Sequence, residues 1–511
     1  MKKSPIPVSA RLPEPAPGGA GLRLATINET LSGKVAPIDD KLLARLEKIC
    51  SNVFVDEKNL IDAARDWWPL GMVWATTGRV ARLPAAVVRP TCVEEISAIL
   101  ALCNETATPV TTSGGRSGVL GNSLPVFGGV VLDCTLLSGI ADLREDDLTV
   151  DVLAGTFGDD FEAALQKEGY TAGHWPQSVA LSTIGGWIAC NGAGQMSTRY
   201  GTMADITKGV TAVLADGRVI ETSDYAQSAT GPDLTQLFVG SEGTLGVIIS
   251  ARLHIRPLPD YTRSAAIGFK SFDDGVDAIR RFMRRGANPA VVRLYDDVES
   301  HRNFGTEDLH VLLLRDEGDR SVVDGGWTAV LEECDGEPLN TDLVDGWMSH
   351  RNQVKSIEPL IEDRAPDTME ITAPWSALAQ IYHETTAAMF AVEGTRTATA
   401  HLSHAYGDRA GLYFMFGGRP DINERPRWYR DVWDAAARTV FGLGGNLSHH
   451  HGIGLARSRF MKEALGSSFD VLIGLKQSMD PNGILNPGKM GLDSPFGPPP
   501  EWADTAPKIK G

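Results

Sequence analysis

The stretch that most constrains the fold runs from His174 to Gly201. Small residues, hydroxyls and glycines are interleaved there with almost no charge: His174-Trp175-Pro176-Gln177-Ser178, then Leu181-Ser182-Thr183-Ile184-Gly185-Gly186, then Asn191-Gly192-Ala193-Gly194 and Ser197-Thr198-Arg199-Tyr200-Gly201. A buried, planar, polar ligand needs a wall of this kind, rich in backbone donors and short hydroxyls and free of bulky side chains. A bundle of glycine-rich loops between strands would read the same way.

Two further glycine segments flank this stretch. Ser113-Gly114-Gly115-Arg116-Ser117-Gly118 follows a short predicted strand at Pro109–Thr112. Closely spaced glycines let a backbone approach a ligand and turn successive N–H groups into an anion-binding nest, for which a pyrophosphate is a natural guest. Taken alone, a tight surface turn is the plainer reading. The segment matches neither of the standard nucleotide fingerprints. Downstream, Gly240-Ser241-Glu242-Gly243-Thr244-Leu245-Gly246-Val247-Ile248 brackets a turn that leads into a strand.

The rest of the chain supplies the setting. Its 511 residues and formal charge of −17 predict several domains and argue against a nucleic-acid partner, since no basic surplus exists to neutralise phosphates. The cysteines Cys50, Cys92, Cys103, Cys134, Cys190 and Cys334 are scattered, which argues against a zinc site or a disulfide framework. No apolar run approaches the ~20 residues of a membrane span, and the N-terminus lacks the apolar core of a secretory signal. A cytoplasmic protein is expected.

Residues 1–31, rich in Pro, Gly and Ala, read as a flexible arm, and 494–511 as a Pro-rich tail. Between them an α+β pattern runs over 32–258. The Pro257-Leu258-Pro259 boundary introduces a second α+β domain over 259–457, and a C-terminal helical segment covers 458–493, its last helix Ser468–Met479 ending at Asp480-Pro481-Asn482-Gly483.

Together, in this order and spacing, the SGGRSG loop, LSTIGGWIACNGAG, STRYGTMAD and GSEGTLGVI resemble the FAD-binding domain of the vanillyl-alcohol-oxidase/p-cresol-methylhydroxylase (PCMH) superfamily. The resemblance covers about Ala85 to Leu258 and continues into the second domain. It implies an α+β, two-domain protein: a PCMH-type FAD-binding domain at 32–258, a substrate or cap domain with an antiparallel sheet at 259–457, and 458–493 returning to the first domain. The glycine loop Ser113, Gly114, Gly115, Arg116, Ser117, Gly118 would hold the pyrophosphate. Pro176, Gln177, Ser178, Ser182, Thr183, Gly185, Gly186, Asn191, Gly194, Ser197, Tyr200, Glu242, Gly243, Gly246, Val247 and Ile248 complete the implied cofactor set. Several members tether FAD through a histidine where this chain has Arg116, so non-covalent FAD is expected, with His174 a minor candidate for a tether elsewhere.

Two branches of the superfamily bear on the second domain. The 2-hydroxy-acid dehydrogenase branch carries a histidine pair and a glutamate that hold a divalent metal in many members. Here those positions are Tyr406, Tyr413 and His450, and neutral phenols are poor ligands for zinc or manganese, so no metal is expected. The alkyl-dihydroxyacetonephosphate synthase branch is matched more closely, by Ser448-His449-His450-His451-Gly452, by Tyr413 in GLYFMF, by Thr372-Ala373-Pro374-Trp375 and by Arg293-Leu294-Tyr295-Asp296. That resemblance implies His450 as a base and Tyr413 as its acid or orienting partner, with His449, His451 and Arg293 in the catalytic set. An unperturbed histidine pKa of roughly 6.5 would suit proton abstraction near neutrality. The branch's upstream arginine is replaced by Ser356, with Lys355 beside it and Arg351 a turn earlier. His401 and His404 read as ordinary polar positions near the site.

The expected function is FAD-dependent hydride removal from a hydroxyl-bearing small molecule such as a 2-hydroxy acid or alcohol. The alternatives are a synthase-like transferase, in which flavin N5 is a covalent trap and no net redox occurs, and a non-catalytic flavin-binding protein. A homodimer is the default assembly.

Overall fold

The computed structural model describes residues 5–222, 228–354 and 358–498. In the first half a four-stranded sheet runs in the order Val53–Phe54, Ala86–Val88, Val130–Asp133, Val110–Ser113, parallel except for its first pair. Its inner strands are buried runs of valine, as parallel strands covered on both faces require. The helices Asp40–Ile49 and Val93–Glu105 cover one side through Leu42, Leu46, Ile96, Ile99 and Leu100. The first helix is capped by Asp39, whose side chain accepts the Leu42 N–H. Ser113 ends the edge strand, so the glycine loop leaves the carboxyl end of a parallel strand, where open α/β sheets bind ligands.

A second, antiparallel sheet of five strands follows, in the order Val219–Glu221, Thr207–Val213, Val247–His254, Thr149–Leu153, Ile140–Arg144. Its central strand starts directly from the Gly243–Gly246 turn.

The other half is built on a seven-stranded antiparallel sheet, in the order Glu337–Leu339, Tyr261–Phe269, His310–Gly318, Val291–Tyr295, Thr395–Ala405, Arg409–Gly418, Ala365–Pro374. Helices including Phe272–Arg284, Trp375–Ala391 and Arg425–Gly442 bury one face, packing Ile279, Phe282, Leu378, Val432 and Trp433 on Leu294, Leu312, Leu402 and Phe414. Strand alternation sends Met369 and Ile371 into that core and turns Thr368, Glu370 and Thr372 to the opposite face. That bare face looks onto the first domain.

The segment after Arg457 returns to the first domain. Val110 N–H donates to the Ile484 carbonyl at 2.8 Å, and Asn486 N–H donates to the Val110 carbonyl at 2.7 Å. The reading of residues 1–31 as a flexible arm is corrected for residues 5–31. Ile6 and Ile140 exchange backbone hydrogen bonds, Arg11 pairs with Asp160 at 2.8 Å, Leu22 and Leu31 are buried, and Asn28–Glu29 pairs in parallel with Arg79–Val80. Isolated apolar anchors on an extended, proline-rich backbone leave no periodic trace. No helix among the described residues is long and apolar enough to cross a membrane.

Candidate active site

A cavity of about 1700 Å³ lies between the first domain's loops and the bare face of the seven-stranded sheet. On the first-domain side its wall holds Ser113, Gly114, Gly115, Arg116, Ser117, Gly118, Pro176, Gln177, Ser178, Ser182, Thr183, Gly185, Gly186, Glu242, Gly243, Gly246 and Ile248. The glycines allow the loops to seat in one another. A Cβ on Gly115 would sit 1.9 Å from the Leu181 carbonyl oxygen, and one on Gly114 would sit 2.3 Å from Thr183 Oγ1.

This wall fits FAD. Thr112 Oγ1, Ser113 Oγ, an Arg116 guanidinium nitrogen, Asn122 Oδ1 and both ring nitrogens of His174 are buried on it without hydrogen-bond partners among the described residues. Buried polar atoms seldom stay unpaired, and a dinucleotide supplies phosphate oxygens, hydroxyls and ring carbonyls to meet them. Arg116 adopts a left-handed backbone (φ 54°) and lies 3.8 Å from Asp133. Burial pushes His174 down to about 3, so its imidazole is neutral.

Five residues of the implied cofactor set stand off the wall and shape it from behind. Asn191 Oδ1 accepts the Ala204 N–H at 3.0 Å, and Ser197 Oγ accepts the Gly194 N–H at 2.8 Å. Gly194 packs on Trp175, Tyr200 donates to Glu317 at 2.7 Å, and Val247 is core. Glu242 lines the cavity, yet its carboxylate is spent on the loop after the histidines: it accepts the Ile453 and Gly454 N–H groups, the latter at 2.9 Å. It thereby ties the cofactor wall to the second domain.

On the opposite wall, register sets Tyr295 beside His401, His401 beside Tyr413 and Tyr413 beside Glu370. His401 stacks on Tyr413 with centroids 5.0 Å apart, and Tyr413 lies parallel to His450 at 5.9 Å. No hydrogen bond joins Tyr413 to His450 among the described residues; burial pushes the Tyr413 hydroxyl up to about 12, with Thr368 hydrogen-bonded to it. His401 Nδ1 is 2.9 Å from Glu299 Oε2 and its Nε2 is 3.2 Å from Arg293. Arg293 packs on the Trp347 ring, its Nε is buried and unpaired, and it makes no carboxylate ion pair among the described residues. Arg351, over the Trp175 ring, donates to Gln195 at 3.1 Å and also lines the cavity. Lys355 and Ser356 lie outside the described residues.

The histidine loop hangs on Glu370, which sequence reasoning missed. This fully buried carboxylate accepts the N–H groups of His449 (3.1 Å), His450 (3.1 Å) and His451 (2.8 Å) through Oε1, while Ser448 Oγ donates to the same oxygen at 2.8 Å. His451 Nδ1 is 3.0 Å from Oε2, and the Arg457 guanidinium donates to both oxygens. Burial acts to raise Glu370, but Arg457 and His451 outweigh it and hold the carboxyl well below its usual range. A lone acid between Met369 and Ile371 on a strand was the available signal.

Two expectations change. His450 is not a base of ordinary pKa: burial, reinforced by the neighbouring His451, holds it well below 6.5. His401 and His404 are not ordinary polar positions but buried members of the same wall. His404 Nε2 donates to the Gly194 carbonyl at 2.9 Å, and Tyr406 Oη lies 2.7 Å from His449 Nε2. Ring nitrogens of His404, His449 and His450 come within 4.8 Å of one another, but these bonds already engage His404 and His449.

Comparison with known proteins gives two family matches, the FAD binding domain over residues 84–223 and the C-terminal domain of FAD linked oxidases over residues 258–490. The chain is 28% identical over 484 residues to the uncharacterized FAD-linked oxidoreductase YgcU of Escherichia coli O157:H7, covering 89% of this chain and 98% of that one. It is 28% identical over 436 residues to the glycolate oxidase subunit GlcD of Bacillus subtilis, covering 80% and 89%. A solved structure of alkyldihydroxyacetonephosphate synthase superposes with a TM-score of 0.75 at 21% identity, covering 94% of this chain and 90% of that one.

Proposed function

The chain belongs to the FAD-linked oxidases of the PCMH/vanillyl-alcohol-oxidase type and is an FAD-linked oxidoreductase, and on that premise we propose that its substrate is an anionic hydroxy acid, oxidised at the hydroxyl-bearing carbon with His450 as the base. The observation that supports this is Arg293: a cation on the same wall as His450, with a buried Nε left unpaired among the described residues. A planar guanidinium fork is suited to a carboxylate, and Arg351 is a second cation on the same cavity. Bound FAD supplies the two-electron acceptor. Arg293 and Arg351 hold the carboxylate, and the Trp347 and Trp175 rings beside them exclude water. His450 takes the hydroxyl proton at Nε2, because His449 occupies its Nδ1 at 2.8 Å. Tyr413 stays protonated and orients the substrate hydroxyl. The relative named for glycolate oxidation agrees with this substrate class.

The test is anaerobic mixing of the FAD-loaded protein with glycolate, D-lactate, D-2-hydroxyglutarate and a neutral aromatic alcohol. Bleaching of the flavin by an acid and not by the alcohol supports the reading; bleaching by the alcohol alone contradicts it. A second reading is favoured by the middle histidine of the triplet, His450, whose ring lies parallel to Tyr413: a synthase-like exchange without net redox, for which a labelled acyl-ether substrate would exchange without bleaching. The proposal also carries non-covalent FAD, no bound metal, a cytoplasmic location and a homodimer, the last checked by light scattering.

A further inference from the structure

We propose that Tyr406 and His449 form a proton relay that carries the proton collected by His450 out of the cavity on the side away from the substrate. The geometry is a continuous chain: Tyr406 Oη to His449 Nε2 at 2.7 Å, then His449 Nδ1 to His450 Nδ1 at 2.8 Å. His450 lines the cavity, whereas neither His449 nor Tyr406 does, and Tyr406 is only partly buried. The chain therefore starts at the substrate and ends behind the wall.

Two proton arrangements satisfy these bonds, and only one makes a base. If His450 carries its proton on Nδ1, it donates to His449 Nδ1; His449 then carries its proton on Nε2 and donates to Tyr406 Oη. His450 Nε2 is left bare toward the cavity. In the reverse arrangement Tyr406 donates to His449, His449 donates to His450, and His450 Nε2–H faces the cavity as an acid. Proton uptake at Nε2 converts the first arrangement into the second. The substrate proton arrives at Nε2 as the Nδ1 proton passes to His449, the Nε2 proton of His449 passes to the tyrosine oxygen, and the tyrosine releases its own proton to solvent. One proton enters, one leaves, and no ring ends charged.

The surroundings require such an exit. His404 from the Thr395–Ala405 strand, Tyr413 from the adjacent strand, and His451, Glu370 and Arg457 all face this cluster. Two carboxylates bear on the chain: Glu370, which Arg457 already neutralises, and Asp205, whose charge, after burial, favours the protonated form of Tyr406. Burial and adjacent rings hold His449 and His450 below the ordinary imidazole range, so a proton kept on His450 would be unstable there.

The inference rests on His450 being the base, and the experiment separates the two claims. In ¹⁵N-histidine spectra of the FAD-loaded protein, which need no substrate, Tyr406→Phe is expected to change the tautomer balance of both His449 and His450, although the tyrosine touches only His449. With D-lactate or glycolate as the probe, anaerobic flavin reduction is expected to slow about 10–100-fold in Tyr406→Phe at unchanged KM. The curved proton inventory of the wild type should become linear. Should Tyr406→Phe lose FAD, His449→Ala replaces it, and free imidazole is expected to restore part of the lost rate. Wild-type tautomers, rate and inventory in Tyr406→Phe, while His450→Ala is inactive, overturn the relay alone. A fully active His450→Ala overturns the base and the relay together.

Discussion

The Arg457 guanidinium donates to both oxygens of Glu370, and both side chains are almost completely buried. The pair neutralises a carboxylate whose remaining capacity holds three successive N–H groups of the histidine loop. Glu370→Gln removes the charge opposite Arg457 and an acceptor site of the loop. Leaving one buried partner unpaired costs about 3–5 kcal/mol. We expect a lowered thermal midpoint and a fall in turnover larger than the loss of folded protein explains; unchanged melting would contradict the role given to Glu370.

Arg293 is assigned to the substrate's anionic group. Arg293→Lys keeps the charge and loses the planar fork, while Arg293→Met loses both. For a 2-hydroxy acid we expect KM to rise about 10-fold in the first and about 100-fold or more in the second, corresponding to one or two charge-assisted hydrogen bonds. Equal losses for a neutral alcohol, measured side by side, would show that Arg293 acts on the wall and not on the substrate.

The pH dependence follows from burial. A histidine base of ordinary pKa loses function as pH falls through about 6.5, because it becomes protonated. Burial holds His450 well below that value and His449 at about 4, so both stay neutral in the range where an ordinary imidazole charges. The rate of flavin reduction is expected to remain flat from neutrality to below pH 6, with its acid limb lower still. A limb near 6.5 would mean that the site raises the base back to its solution value.

Non-covalent FAD predicts that acid precipitation leaves a colourless pellet and a yellow supernatant; a flavin that stays with the pellet would point to a tether, with His174 the residue to replace first. Dialysis against a chelator is expected to leave flavin and activity in place. A stoichiometric divalent ion that is lost together with activity would contradict the metal-free proposal and point to His404, His449 and His450, whose nitrogens lie within 4.8 Å.

The glycine segments were legible as an ordered set, since each alone reads equally as a turn or a loop bundle: Ser113–Gly118 and, among others, Pro176, Ser182 and Gly185 line one wall of the cavity. Their immediate purpose was not legible, since Gly115 faces the Leu181 carbonyl, a contact between residues far apart in sequence. The same holds for the second domain. His450 and Tyr413 stand out as residue types, but Glu370, Arg457 and His404 acquire roles only when three strands and a loop meet. The resemblance implies Glu242 as a cofactor residue, yet its carboxylate serves the Ile453 and Gly454 amides, a pairing that depends on tertiary approach. Residues 5–31 were misread for the opposite reason: an extended chain docks through single residues such as Ile6 and Leu22 and leaves no pattern.

The central claim is that His450 removes the hydroxyl proton of a 2-hydroxy acid. The most direct measurement is the single-turnover anaerobic reduction of FAD by D-lactate or glycolate in the wild type and in His450→Ala, both loaded with flavin. The wild type should bleach, and the variant should keep its FAD while bleaching about 10²–10⁴-fold more slowly, the usual contribution of a positioned base. A His450→Ala protein that holds FAD and bleaches at the wild-type rate would contradict the account.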